Sequence, residues 1–297
     1  MIRIGLCGWG DHPRLYKGVR ASSRDKLPAY AHWLSTVEVD SSFYAVQAPV
    51  LVQRWSDGTP ADFRFVVKAY QGMTGHSRGR PYGFYDSEEA MYHAFLESIA
   101  PMREAGKLLA VLFQYPPWFD CTRTNVEVLR AAKARMGDTP CALEFRHQSW
   151  FAGVMRDRTL EFARREGWIH TVCDEPQAGE GSVPIVEAAS DDRLTIVRLH
   201  GRNKEGWVSA AGQPNWRDVR YLYRYSEQEL EEWAERVKRI EQLSSAVCVL
   251  FNNNSGGDAA DNALRLMEML GQLPPRGSFA SGMEEQVEQL DLLDLFD

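Results

Sequence analysis

Eight short apolar, β-branched runs recur along the chain: Ile2–Leu6, Thr36–Val39, Phe63–Val67, Leu108–Phe113, Cys141–Phe145, His170–Cys173, Leu194–Leu199 and Ala246–Phe251. Each is nearly continuous in apolar residues, the pattern of strands covered on both faces. Longer segments between them carry helical periodicity. Glu88–Arg103 puts Met91, Ala94, Phe95, Ile99 and Met102 on one face, with Ser87 placed to cap it. Thr124 with Glu127, and Ser226 with Glu229, have the form of capping boxes. Leu230, Trp233, Val237 and Ile240 follow at helical spacing, and Asp157–Glu166 and Ala259–Leu270 also read as helices. The alternation predicts an α/β fold, a single (β/α)8 TIM-type barrel over residues 1–270. A doubly wound open sheet is the other arrangement with this rhythm. Gly5-x-x-Gly8-x-Gly10 does not match its dinucleotide fingerprint, G-x-G-x-x-G.

Composition agrees with a packed domain. The 297 residues are 44% hydrophobic and 25% charged, which excludes a chain disordered throughout. No apolar run approaches the ~18 residues of a membrane span, and the first residues lack the pattern of a secretory signal. The five cysteines show no zinc-ligand spacing and read as buried free thiols in a reducing, cytoplasmic setting. The net charge of −7 is concentrated at one end: residues 277–297 hold six acids and no Lys or Arg. The body is close to neutral, which argues against strong nonspecific binding to nucleic acid. Residues 271–283 read as a linker and 284–297 as an acidic, leucine-rich tail.

Most of the strand candidates end in polar residues: Glu38 and Asp40, Lys68, Gln114, Glu144 with Arg146 and His147, Asp174, Arg198 with His200 and Arg202, then Asn252 and Asn253. Alternate strand residues share a face. Glu38 with Asp40, Glu144 with Arg146, and Arg198 with His200 are therefore expected to converge at the C-terminal mouth, where barrels carry their active sites. A buried ion network that merely neutralises itself is the competing reading. Aromatics near these ends, among them Tyr44, Trp150 and Tyr225, add stacking surfaces suited to a nucleotide, a single strand or a sugar.

Strand eight runs into Asn252–Asp258 and a helix, an expected anion site that Arg202 and Lys204 would reinforce. Glu144, Asp174 and His200 are the candidate proton carriers. No H-E-x-x-H, G-x-S-x-G or P-loop is present, so no motif indicates a metal, and the cofactor stays open.

The run of motifs is similar to the YecE-like family, also called domain of unknown function 72. The matching pieces are Gly8-Trp9, Glu38-Val-Asp40-Ser-Ser-Phe43-Tyr44, Phe65-Val-Val-Lys68, Phe113-Gln114-Tyr-Pro116-Pro117, Glu144-Phe-Arg146-His147-x-Ser149-Trp150, Arg198-x-His200-Gly201-Arg202, Tyr223-x-Tyr225 and Phe251-Asn252-Asn253 with Asn262. The resemblance implies a TIM-type barrel and no known reaction. That barrel has been likened to endonuclease IV, a metal-dependent abasic-site nuclease, but this chain shows no evident histidine and carboxylate set for a three-metal cluster.

Three functions follow: a hydrolase or lyase acting on a phosphate-bearing substrate such as nucleic acid, a non-catalytic DNA-repair-associated binding module, or a barrel acting on a sugar or small metabolite. The tail bears on the second. Gln289-Leu290-Asp291-Leu292-Leu293 resembles the bacterial sliding-clamp-binding pentapeptide, with Leu293 where Phe is usual. Purified clamp is expected to retain the full chain in a pull-down and to lose it after Leu290→Ala plus Leu292→Ala; retention of the double variant rules the motif out.

Overall fold

The computed structural model describes residues 1–16, 26–77, 79–209, 219–272 and 274. Nearly all of the linker and the whole of the tail, with the Gln289–Leu293 pentapeptide, lie outside the described residues.

Eight parallel strands close into a barrel in sequence order: β1 (Ile2–Cys7), β2 (Thr36–Val39), β3 (Arg64–Lys68), β4 (Leu108–Gln114), β5 (Cys141–Glu144), β6 (Trp168–Asp174), β7 (Leu194–Leu199) and β8 (Ala246–Phe251). β1 pairs with both β2 and β8, which closes the ring and leaves no sheet edge. The described residues form eight α-helices: α1 (Lys26–Trp33), α2 (Pro49–Asp57), α3 (Glu88–Glu104), α4 (Arg123–Met136), α5 (Met155–Glu166), α6 (Lys204–Ser209), α7 (Glu227–Glu241) and α8 (Asp258–Met269). None is long and apolar enough to cross a membrane.

The barrel and its helices are what the alternation of short and long patterns predicts. β2, β7 and β8 have the expected bounds, and the other strands shift by one or two residues at an end. The Ser87 hydroxyl accepts from Ala90 N, and Ser226 with Glu229 forms a reciprocal capping box. One cap differs from expectation. Thr122, in extended backbone, caps α4 by accepting from Asn125 N, so the helix begins before Thr124 and the Thr124–Glu127 box does not form. Helices α1 and α2 are too short for their periodicity to stand out; Pro49 opens α2, where its missing N–H costs nothing.

Strand parity divides the core in two. Outward residues such as Leu6, Val39, Phe113, Phe145, Leu199 and Phe251 pack with the helical layer. Inward residues, among them Val66, Ala110, Leu112, Ala142, Ile196 and Leu250, form a separate apolar plug inside the lumen. The close approach of β1 to β2 requires glycine at position 5, where a Cβ would lie 2.2 Å from the Thr36 carbonyl oxygen. All five cysteines are free and only Cys121 is not buried.

Outside the lumen, His170 and His12 are buried neutral. Desolvation pushes each ring down to about 4, and the carbonyls of Val186 and Gly8 offset this only in part. The sign follows from linkage. The unfolded rings bind protons near pH 6.5, and the folded rings do not until about 4. The unfolded state therefore binds more protons between these values, and stability falls as pH drops through that window. A Tm series from pH 7 to pH 4 is expected to descend, with a shallower slope for His170→Gln. Parallel slopes for the two proteins mean that His170 is not buried neutral.

Candidate functional site

The lumen changes character above the apolar plug. Inward positions at the C-terminal ends of the strands carry Cys7, Glu38, Glu144, Arg146, Cys173, Arg198 and His200, all buried. Ionised groups in such a place must pair. Arg198 forms a fork on Glu38, with Nε and Nη2 each 2.8 Å from a carboxylate oxygen. Its Nη1 donates to Glu144 Oε2 at 2.8 Å. Arg146 Nε donates to the other Glu144 oxygen at 2.7 Å, and Arg146 Nη1 donates to Glu175. The result is one continuous chain, Glu38–Arg198–Glu144–Arg146–Glu175. Burial alone would raise the Glu144 pKa, but Arg198 and Arg146 hold it well below the usual carboxylate range. At Glu175 desolvation wins over Arg146 and the pKa lies above its ordinary value.

His200 completes the network. Its Nε2 lies 2.9 Å from Arg146 Nη2, and a guanidinium can only donate. The Asn252 amide nitrogen sits 2.9 Å from Nδ1, and Glu144 Oε1 lies 3.5 Å from Nε2. Burial, then Arg146, pushes the imidazole well below its ordinary pKa, so it is neutral. Glu144, Cys173 and His200 present atoms of metal-ligand type within 4.8 Å of one another. Arg146 already occupies the Glu144 oxygen and the His200 nitrogen that a cation would need. The set fits a guanidinium and does not fit a divalent metal.

Above this layer opens a cleft of about 680 Å³. Six residues singled out from sequence line it: Asp40, Tyr44, Lys68, Gln114, Arg146 and Asn252. Lys68 Nζ is 3.2 Å from Asp40 Oδ1 and 4.6 Å from the Phe43 ring centroid. Burial would lower the Lys68 pKa, but Asp40 together with Glu38 holds it above its ordinary value. Arg220 and Tyr221 form part of the lining, and the Arg220 guanidinium lies 3.7 Å from the Trp207 ring centroid.

The family model described as "Protein of unknown function DUF72" matches residues 3–283. The chain belongs to this family. The UPF0759 protein YunF of Bacillus subtilis is 55% identical over 271 residues, covering 91% of this chain and 95% of that protein. YecE of Escherichia coli K12 is 26% identical, covering 64% and 65%. A DUF72 crystal structure from Enterococcus faecalis superposes with TM-score 0.85 at 37% identity, covering 91% of this chain and 96% of that one. One from Thermotoga maritima gives 0.76 at 28% identity, covering 92% and 100%.

In this DUF72 barrel the remaining residues chosen from sequence separate by parity. Glu38, Glu144, Arg198 and His200 face the lumen below the cleft. Asp174 does not. The inward positions of β6 and its extension are Cys173 and Glu175, so Asp174 points to the helical layer. There it accepts from Arg202 Nε at 2.9 Å, Tyr225 Oη at 3.0 Å and Trp233 Nε1 at 2.9 Å. This second cluster also takes in Arg202 and Tyr225, whose polar atoms tie α7 to β6 and β7. Arg202 reaches Glu229 as well, and Tyr225 Oη accepts from Gly201 N. Trp150 is core, stacked 4.0 Å from the Phe145 centroid with Nε1 donating to Phe119 O. His147 turns back to Ser149 and caps a short 3-10 turn. Asn253 is fully buried outside the lumen and donates to Tyr223 O and Asn262 Oδ1.

The expected anion site at α8 is satisfied from within. Gly257 is its N-cap, and Asp258 and Asp261 fill the first turn, each paired with Arg224. Sequence reasoning missed Glu175, His76, Arg220 and Tyr221. Glu175 shares the inward face with Cys173, but the local sequence does not say which of the adjacent acids Asp174 and Glu175 takes that face. The other three sit in the connections after β3 and β7, where no strand alternation reaches them.

Glu144→Gln is expected to lower unfolding free energy by about 3–5 kcal/mol, because Arg146 and Arg198 lose their shared charge. Asp40→Asn, at a side chain 41% exposed, is expected to cost under about 1 kcal/mol. Urea melts distinguish the two, and equal midpoints would show that Glu144 is not the centre of a buried network.

Proposed function

We propose that the cleft binds a phosphate-bearing ligand. The observation that carries this reading is the convergence of Lys68, Arg146 and Arg220 on one enclosed space of about 680 Å³. That volume lies in the range of small-ligand pockets. Arg146 and Lys68 are buried yet stay charged: desolvation acts against each, and the nearby acids, Glu175 with Glu144 for Arg146 and Asp40 with Glu38 for Lys68, offset it. A cation already desolvated and oriented by its own partners meets an anion with little reorganisation. Three cations line the cleft against two carboxylates, Asp11 and Asp40. The His76 ring on the same wall is held down to about 4, first by burial and then by Lys68 and Arg146. It stays neutral at pH 7 and adds no competing charge.

The finer reading, a hydrolase or lyase step on such a ligand, draws its proton carrier from the cleft surface. Glu144 and His200 lie beneath Arg146 and orient it, so Asp11, Asp40 and His76 are the groups within reach. A long polyanion is the less favoured occupant, because the chain is net −7 and its body is near neutral.

Thermal stabilisation by ribose 5-phosphate, ribose and inorganic phosphate tests the proposal. A ligand at a hundred times its Kd adds about 2.7 kcal/mol. Ribose 5-phosphate is expected to raise Tm and ribose is not. The gain should weaken with added salt and fall at least tenfold in affinity for Lys68→Met. No shift from any phosphate-bearing compound would sink the reading.

A further inference from the structure

We infer that the ligand of this cleft carries a planar ring as well as a phosphate, with the ring seated at the rim against Trp118 and Tyr44: a mononucleotide-class molecule. The inference rests on the phosphate reading and adds an orientation to it.

One wall of the cleft is a chain of edge-to-face aromatic contacts. Tyr44 and Phe43 have centroids 5.1 Å apart, Phe43 and His76 5.0 Å, and His76 and Trp118 5.8 Å. All four rings line the cleft. The chain has a polarity. At Phe43 it touches charge, where Lys68 Nζ lies 4.6 Å from the ring centroid. Away from that contact it opens to solvent: Trp118 is 52% exposed and Tyr44 is 45% exposed. Single exposed aromatics are ordinary on a protein surface. Here two of them belong to one wall, joined through the partly buried rings of Phe43 and His76, and line one cleft.

A ligand that satisfies both ends places its anion on Lys68 and its flat, apolar portion on Trp118 and Tyr44. A neutral sugar would leave the cations unused, and inorganic phosphate would leave the rings uncovered. A nucleotide has both parts at the right scale, since every base offers a face for stacking. His76, neutral at pH 7 because burial, Lys68 and Arg146 hold its pKa near 4, is part of the wall and no anion ligand.

The experiment is calorimetric titration of the full chain with the four ribonucleoside 5′-monophosphates, their nucleosides and ribose 5-phosphate, repeated for Trp118→Ala and Lys68→Met. Trp118 is half exposed, so its removal opens no core, and a melting curve checks this. At least one nucleotide is expected to bind roughly tenfold or more tightly than ribose 5-phosphate. Trp118→Ala should erase that difference and leave ribose 5-phosphate unchanged, whereas Lys68→Met should weaken both. Equal binding of nucleotides and ribose 5-phosphate, or a Trp118→Ala variant that keeps the preference, overturns the ring subsite and leaves the phosphate reading standing. Binding of nucleosides alone, or of no phosphate-bearing probe, overturns both. A short single-stranded oligonucleotide added as a final probe, if far tighter than every mononucleotide, overturns the small-ligand assignment.

Discussion

The upper half of this barrel depends on one chain of buried charge, Glu38–Arg198–Glu144–Arg146–Glu175. It crosses the lumen and joins strands β2, β5 and β7 with the residue that follows β6. Removing that many ions from water is costly, by several kcal/mol each even after relaxation. The cost is offset only because each guanidinium faces carboxylate oxygens at hydrogen-bond distance on two sides. Loss of one member leaves its neighbours charged in a place without water. The network is thus all or none, and it fixes the positions of side chains from four strands at once.

The position of the cleft follows from that network. The apolar plug fills the N-terminal half of the lumen, and the charges fill the next layer. Solvent and ligand meet what lies above: the Lys68–Asp40 pair, the top of Arg146, Arg220 with Tyr221, and the aromatic wall among them. Arg146 belongs to both layers. Its partners hold it in place from below while it lines the cleft floor. His200, neutral and held between Arg146 and Asn252, has the same supporting character.

A second polar cluster on the outside of the barrel explains why several strand-end residues look functional in sequence and are not in the cleft. Asp174 gathers Arg202, Tyr225 and the Trp233 indole, and so pins α7 against β6 and β7. Parity reasoning works where the strand is regular, as for Glu38, Glu144, Arg198 and His200. At β6 the inward face passes through Cys173 to Glu175, and a carboxylate one position earlier serves the helix layer instead. Nothing in the local sequence distinguishes two adjacent acids, because the choice is made by Trp233 and Arg146, 59 residues later and 29 earlier in the chain.

The sequence by itself determined the barrel. Eight apolar runs buried on both faces, separated by segments of helical period, leave few other ways to cover every strand, and three strands have the very bounds that pattern marks. It also determined that polar groups cluster at one end, since alternation along a regular strand is local geometry. Tertiary structure decided which of those groups share a space. Trp150 and Asn253 became core, His147 a turn cap, and Arg202 and Tyr225 a clasp, while His76, Arg220 and Tyr221 reached the cleft from the connections between strands. The physical reason is range: periodicity encodes which way a side chain points from its own strand, but ion pairs and ring contacts are set between residues far apart in the chain.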